Sequence, residues 1–227
     1  MSPAVHSTPT SSSPAVLFDF DGTVGRSLHL WTEAMRIALA HHEIEMSHDE
    51  VIEYCFNRPF EQTIERYNIP CSKTFRDMIW KEVAELMHGV ELFQGVQEVV
   101  SLLRSEGYRT AIVTNSRRSV VSPVLDRHGI SSLFDTVIGE EDVRSPKPDP
   151  EPVLRALEEL RSPPEHSWMI GDSDADIFAG KNAGTTTIGF APNDNLKYSP
   201  LHRLKDADPH HIIDTYQDLP GIIFGRE

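Results

Sequence analysis

The nine residues Ala15-Val16-Leu17-Phe18-Asp19-Phe20-Asp21-Gly22-Thr23 constrain the fold more than any other stretch. An apolar run with β-branched and aromatic members reads as a strand buried on both faces, and here it stops at two carboxylates around one Phe, then a glycine turn. In an open parallel sheet, ligands sit outside the carboxyl ends of the strands, which is where Asp19 and Asp21 would emerge. Two plainer readings compete. Asp and Gly are ordinary turn residues and could simply close the strand. A calcium loop is the other alternative, and it fails on spacing: glycine falls at the fourth position, Leu30 stands where a bidentate Glu is needed, and a strand precedes.

Downstream, Leu28 to Glu43 carries Leu28, Trp31, Met35, Ala38 and Leu39 on one helical face. Shorter helices are expected over His48 to Cys55, behind Ser47, and over Phe60 to Tyr67, behind Pro59. Ser72 is expected to cap a longer helix whose Phe75, Ile79, Val83 and Leu86 share a face. At helical spacing the aromatic and Met residues read as core. The region 27–90 is far too long for a connection inside a parallel sheet and reads as an inserted all-helical subdomain.

From Leu92 the pattern alternates. A helix with Val96, Val99, Val100 and Leu103 on one face ends at Gly107, and the strand Thr110 to Val113 runs into Thr114-Asn115-Ser116. Helix Arg117 to His128, strand Phe134 to Ile138, the loop Ser145 to Pro150 with Lys147, helix Glu151 to Leu160 and strand Trp168 to Ile170 follow; that strand ends in Gly171-Asp172-Ser173-Asp174-Ala175-Asp176. Strands at Thr186 to Phe190 and His211 to Ile213 complete the series. Such alternation means an α/β fold with a doubly wound parallel sheet. The expected organisation is a disordered tail over 1–14, an α/β core over 15–26 and 91–227, and a helical cap over 27–90.

The net charge of −14 argues against sequence-independent grip on nucleic acid or anionic membrane, so the expected partner is a small molecule. No apolar run is long enough to span a bilayer. Cys55 and Cys71 form no metal-ligand spacing and read as reduced thiols of a cytoplasmic protein, and the adjacent pairs His41-His42 and His210-His211 diverge too far to share a metal.

Three strands thus end in polar clusters at one edge, with Lys147 in a proline-stiffened loop nearby. Together they hold carboxylates, hydroxyl and amide donors and a cation, the inventory for moving a phosphoryl group. Asp172 to Asp176 again mimics a calcium loop, but Ile177 and Ala183 stand where Gly and Glu are required. Magnesium, which takes one or two carboxylates with waters and phosphate, suits it better. Helix capping would explain one Asp of the cluster and leave the others unexplained.

In this order, DFDGT at Asp19 to Thr23, TNS at Thr114 to Ser116, KP at Lys147-Pro148 and GDSxxD at Gly171 to Asp176 resemble the motifs of the haloacid dehalogenase-like (HAD) hydrolase superfamily. The helical insert after the first motif resembles the phosphoglycolate phosphatase and β-phosphoglucomutase branch. That resemblance implies a Rossmann-like core with Asp19 as a nucleophile that forms an aspartyl-phosphate and Asp21 as general acid, then general base. It implies Mg²⁺ held by the Asp19 carboxylate, the Asp21 carbonyl and Asp172, with Asp176 supporting. Thr114 and Asn115 would bind phosphoryl oxygens, and Lys147 would stabilise negative charge. The sequence departs from the branch at Arg26, where an acid is common, at Asn57-Arg58-Pro59, where Gly often precedes the proline, and before Gly95, where proline is usual.

The expected activity is magnesium-dependent hydrolysis of a small phosphate monoester, phosphoglycolate-like or a sugar phosphate, by a monomer or homodimer. A sugar-phosphate mutase would use the same two aspartates. A phosphonate hydrolase would need an amine, for which Lys73 and Lys81 are available. The dehalogenase branch lacks an acid at the position of Asp21, and a non-enzymatic module should lack a catalytic residue. Arg58 and Arg26 are expected near the substrate's distal group.

Overall fold

The computed structural model describes residues 13–56, 58 and 60–225. Strand β1 (Ala15–Phe18) is buried along its whole length. Before the next strand the chain forms helices α1 (Leu28–Ala40), α2 (His48–Tyr54), α3 (Phe60–Arg66), α4 (Ser72–Leu86) and α5 (Val96–Ser105). Then come β2 (Arg109–Val113), α6 (Arg118–Arg127), β3 (Thr136–Ile138), α7 (Glu151–Leu160), β4 (Trp168–Gly171), α8 (Asp174–Ala183), β5 (Thr186–Phe190), α9 (Leu201–Asp206), β6 (His211–Ile213) and α10 (Leu219–Phe224).

All the strand pairs are parallel, in the order β3-β2-β1-β4-β5-β6. The chain steps outward from β1 to β3 and then crosses back to β4 on the other side of β1. The crevice of a doubly wound sheet opens where that direction reverses, outside the ends of β1 and β4. Side chains alternate across the sheet. Val16 and Phe18 join a core with α5, α6 and the helical insert, while Ala15 and Leu17 pack with Val113, Met169 and apolar residues of α7 and α8.

Helices α1 to α4 lie between β1 and β2, as their amphipathic spacing predicts, and α1 packs on α4. Ser47 caps α2 in a reciprocal box: the Glu50 N–H donates to Ser47 Oγ at 3.3 Å, and the Ser47 N–H donates to Glu50 Oε2 at 2.8 Å. The segments entering and leaving this insert are bonded to each other. The Arg26 N–H donates to the Glu91 carbonyl at 2.8 Å and the Phe93 N–H to the Val24 carbonyl at 3.0 Å.

Several local expectations are corrected. Cys71, in extended backbone, occupies the cap position of α4 and accepts from the Thr74 hydroxyl at 3.1 Å, so Ser72 is the first helical residue. Strand β3 begins two residues later than expected, after a single 3₁₀ turn at Ser131–Leu133. Helices α9 and α10 have six residues each, too few to show a periodic stripe. Pro14, assigned to the tail, gives its carbonyl to the Arg109 N–H at 2.9 Å and so adjoins the sheet. The rest of the expected tail up to residue 12, and the expectations for Asn57 and Pro59, lie outside the described residues.

Candidate active site

Asp19 is the first residue beyond β1, and its N–H extends the β1–β4 ladder by donating to the Ile170 carbonyl at 2.8 Å. The residue is 6% exposed. Lys147, 128 residues away, donates from Nζ to Asp19 Oδ1 at 2.7 Å, to Asp176 Oδ1 at 2.5 Å and to the Val113 carbonyl at 2.8 Å. An ammonium has three donors, and all three are used. The Lys147-Pro148 peptide bond is cis.

Asp172 follows the glycine that ends β4, and Asp176 sits in the first turn of α8. Carboxylate oxygens of Asp19, Asp172 and Asp176 lie within 4.8 Å of one another, all three residues being buried. Asp176 bridges two elements, since its other oxygen accepts from the Ser173 N–H at 3.1 Å and the Ser173 hydroxyl at 2.6 Å. Asp172 accepts from the Ser199 hydroxyl at 2.8 Å. Gly22 makes this approach possible: its φ is +75°, and a Cβ there would stand 2.6 Å from Asp172 Oδ2.

Three buried carboxylates face one lysine, and the imbalance appears in their protonation. Burial pushes Asp19 up to about 8, with Asp176 and Asp21 adding to the rise and Lys147 opposing it. Burial, Asp176 and Asp19 likewise raise Asp172 well above the carboxylate range. Burial disfavours the charged form of Lys147, but Asp176 and Asp19 outweigh it and raise its pKa. An oxygen-rich set with surplus negative charge fits a hard divalent cation, Asp19 and Asp172 being the obvious ligands because Asp176 already serves Lys147 and Ser173.

Asp21 stands half-buried beside this group. Its Oδ1 accepts from the Ser27 hydroxyl at 2.6 Å and the Trp31 indole N–H at 2.7 Å, and its Oδ2 accepts from the Ser116 hydroxyl. Thr114 is buried, with Oγ1 accepting from the Ser116 N–H at 3.0 Å. Asn115 lines the crevice but uses its carboxamide to clamp the Lys147 loop: Nδ2 donates to the Lys147 carbonyl at 3.0 Å and Oδ1 accepts the Lys147 N–H at 2.9 Å. A second Nδ2 proton stays available to a ligand.

Asp19, Asp21, Asn115, Lys147, Asp172 and Asp176 line a crevice of about 170 Å³, with Trp31 and Phe56 of the insert among its walls. Phe56 also walls an adjoining pocket of about 420 Å³ that contains Arg58, Lys197, Tyr198 and Arg203. Phe56, shared by the two spaces, meets the Tyr198 ring of the larger one edge to face, with centroids 6.0 Å apart. Arg58 therefore lies one pocket away from the carboxylates. Arg26 joins neither space: it pairs with Asp194 at 2.5 Å and covers the Phe93 ring at 5.8 Å. Lys73 and Lys81 are exposed and outside the crevice, whose one amine among the described residues is Lys147.

Sequence reasoning missed the residues behind the first motif. Asn195 donates to the Gly22 carbonyl at 2.6 Å and the buried Tyr216 hydroxyl to the Thr23 carbonyl at 2.9 Å, pinning the aspartate turn from 173 and 193 residues away. Ser199 and Phe56 were also unforeseen. Trp31 was read only as a core face, although a buried indole N–H needs an acceptor.

The chain matches the family model described as haloacid dehalogenase-like hydrolase over residues 16–190. It is 35% identical over 210 residues to the pyrophosphatase PpaX of Bacillus velezensis, covering 90% of this chain and 94% of that one. The crystal structure of a protein described as a candidate phosphoglycolate phosphatase from Lactobacillus plantarum superposes with a TM-score of 0.78 at 25% identity, over 92% of this chain and 98% of that one. The structure of a HAD family hydrolase from Deinococcus radiodurans R1, with bound phosphate and sodium, gives a TM-score of 0.75 at 23% identity, over 94% and 96% of the two chains.

Proposed function

The chain belongs to the haloacid dehalogenase-like hydrolases and is a phosphatase of that family; on that premise we propose that it hydrolyses a small phosphate compound, with Mg²⁺, through an aspartyl-phosphate on Asp19. The observation that carries this reading is the meeting of Asp19, Asp172, Asp176 and Lys147, drawn from three loops, where the strand order reverses.

Asp19 is the nucleophile. One of its oxygens bonds to phosphorus as the bond from phosphorus to the leaving oxygen breaks, and Asp21 gives that oxygen a proton. In the second half Asp21 takes a proton from water, the water oxygen bonds to phosphorus, and the bond to Asp19 breaks with its electron pair returning to the carboxylate. Lys147 holds Asp19 in place and offsets charge on the transferring group. When bound, Mg²⁺ would be held by the carboxylates of Asp19 and Asp172, with the Asp21 carbonyl and Asp176 supporting, and would draw the anionic phosphoryl group onto an anionic nucleophile. Thr114 and Asn115 complete the phosphate site.

Residues 27–90 act as a cap and 15–26 with 91–227 as the catalytic core. The paired segments at residues 24–26 and 91–93 support that division, because they are the chain's two passages into and out of the insert. The compact crevice favours a small substrate, and the pyrophosphatase relatives make inorganic pyrophosphate the first candidate, ahead of phosphoglycolate and sugar phosphates. Arg58, Lys197 and Arg203 would receive the second anionic group of a longer substrate. Against the phosphonate alternative, the crevice's one amine among the described residues is Lys147, whose three donors are already taken by Asp19, Asp176 and the Val113 carbonyl.

A phosphate-release screen over pyrophosphate, phosphoglycolate, sugar phosphates and an aryl phosphate, with Mg²⁺ and with chelator, tests this. Release from at least one substrate that collapses on chelation is the expected outcome. Isomerised product without free phosphate would turn the reading to a mutase, and equal release with and without Mg²⁺ would contradict the mechanism.

A further inference from the structure

We propose that Trp31 is a positioning residue for Asp21, through which seating of the helical insert decides whether the acid–base group is aimed. This rests on the reading that Asp21 exchanges a proton with the leaving group and then with water.

The indole N–H can only donate, and in a half-buried ring an unmet N–H is costly. Its partner is Asp21 Oδ1, at 2.7 Å. The same oxygen accepts from Ser27 at 2.6 Å, while among the described residues Oδ2 is met by Ser116 alone. A hydroxyl can turn round and accept, whereas an indole cannot. Oδ1 is thus engaged as an acceptor, leaving Oδ2 as the oxygen that carries and returns the proton. Trp31 sets which oxygen does the chemistry and the angle at which it is presented.

Trp31 belongs to the insert, and the insert holds it from behind. The Trp80 ring of α4 meets the Trp31 ring edge to face, with centroids 5.1 Å apart at 81°. Over the Trp80 ring, 4.6 Å from its centroid, lies the guanidinium of Arg117, which pairs with Glu140 at 3.6 Å. Arg117 directly follows Ser116. One loop of the α/β core therefore grips Asp21 through Ser116 and the insert through Arg117, and Trp31 closes the circuit between them. Displacing the insert would remove a donor from Oδ1 and free the carboxylate to rotate. Misplacing a reacting group by about 1 Å can cost on the order of 10²-fold in rate.

The test is Trp31→Phe, which keeps an aromatic ring against Trp80 and deletes the N–H. Turnover of an alkyl phosphate, whose leaving oxygen needs the proton, should fall about 10–100-fold with KM unchanged, and turnover of an aryl phosphate by no more than about threefold. Both substrates are measured on one sample, so any loss of folded enzyme cancels from the alkyl-to-aryl ratio. In an Asp21→Asn background, adding Trp31→Phe should leave that ratio within about twofold, because the group that Trp31 positions is already disabled. An unchanged ratio in Trp31→Phe alone, or an equal further drop in the Asp21→Asn background, overturns the assignment. If Asp21→Asn itself leaves the ratio at the wild-type value, the acid role of Asp21 fails first and takes this inference with it.

Discussion

The carboxylate crevice and the helical insert above it use charge in opposite ways. In the crevice every ionic contact is buried and joins distant parts of the chain, as where Lys147 meets Asp19 and Asp176 with all side chains less than a tenth exposed. In the insert the ion pairs lie at the surface: Arg36 with Glu33 three residues away, Arg76 with Glu61, and Arg58 with no salt bridge among the described residues. Removing one partner of a buried pair strands the other charge at a cost of about 3–5 kcal/mol, whereas an exposed pair contributes roughly 0–1 kcal/mol. The insert is held by its apolar faces, such as Phe75, Ile79 and Val83, so its polar residues can change with little effect on folding. The contrast supports the proposed division of labour, in which the buried core carries the reaction and the insert, with the segment after β5, reads the substrate's remainder.

Substitutions on the two sides should therefore differ in kind. Asp19→Asn should abolish turnover by a factor on the order of 10⁵–10⁶ for every substrate in steady-state assays, since it removes the proposed nucleophile and the neighbouring carboxylates are assigned to the proton, the metal and Lys147. Lys147→Met should lower both activity and stability, the latter by about 3–5 kcal/mol in urea denaturation, by stranding Asp19 and Asp176. If stability is unaffected, the crevice is no more tightly specified than the insert and the contrast collapses.

Mg²⁺ at 100 times its dissociation constant should stabilise the protein by about 2.7 kcal/mol in thermal melts. The pH dependence has a definite sign. The Asp19 carboxyl keeps its proton to about 8 in the folded chain, against 3.8 for the ordinary group, so across that window the folded state binds more protons than the unfolded one. Metal-free stability should accordingly fall as pH rises from about 4 to about 8, with Asp172 acting in the same direction. The gain from Mg²⁺ should be larger at pH 8 than at pH 5, and an equal gain at both would remove Asp19 from the metal site. The smallest expected effect is in the insert: Arg58→Ala should raise KM about tenfold for substrates with a second anionic group, leave a neutral aryl phosphate within twofold, and barely shift the melting temperature. A matching loss on both substrates would remove Arg58 from substrate binding.

Legibility in the sequence follows the same division. The strands and the helices α1 to α8 could be read because apolar periodicity is local, and Glu151–Leu160 and Thr186–Phe190 fall on their expected bounds. Asp19, Asp21, Lys147 and Asp172 could be read because each lies at a strand end or in a short motif. What periodicity could not show is which polar side chains meet. The clamp of Asn115 on the Lys147 backbone, the Ser199 hydroxyl on Asp172 and the Asn195 amide on Gly22 depend on loops brought together only by the folded sheet. Arg26 was expected near substrate because it lies beside a passage into the insert, but the opposing Asp194 captures it. Trp31 was hidden by its own hydrophobicity: an indole on an apolar face looks like core until the acceptor of its N–H is found.

The claim on which the rest depends is that phosphoryl transfer passes through Asp19, with Asp21 moving the protons. Acid-quenched mass spectrometry of the Asp21→Asn protein mixed with an aryl phosphate and Mg²⁺ tests it most directly. A good leaving group needs little help from an acid, so the first half should proceed, while attack by water lacks its base and stalls. The account predicts a mass gain of one phosphoryl group, mapping to the peptide that contains Asp19 and absent from Asp19→Asn. An Asp21→Asn enzyme that turns over at the wild-type rate without any trapped phosphoryl group, or one that carries the phosphoryl group on another residue, would contradict it.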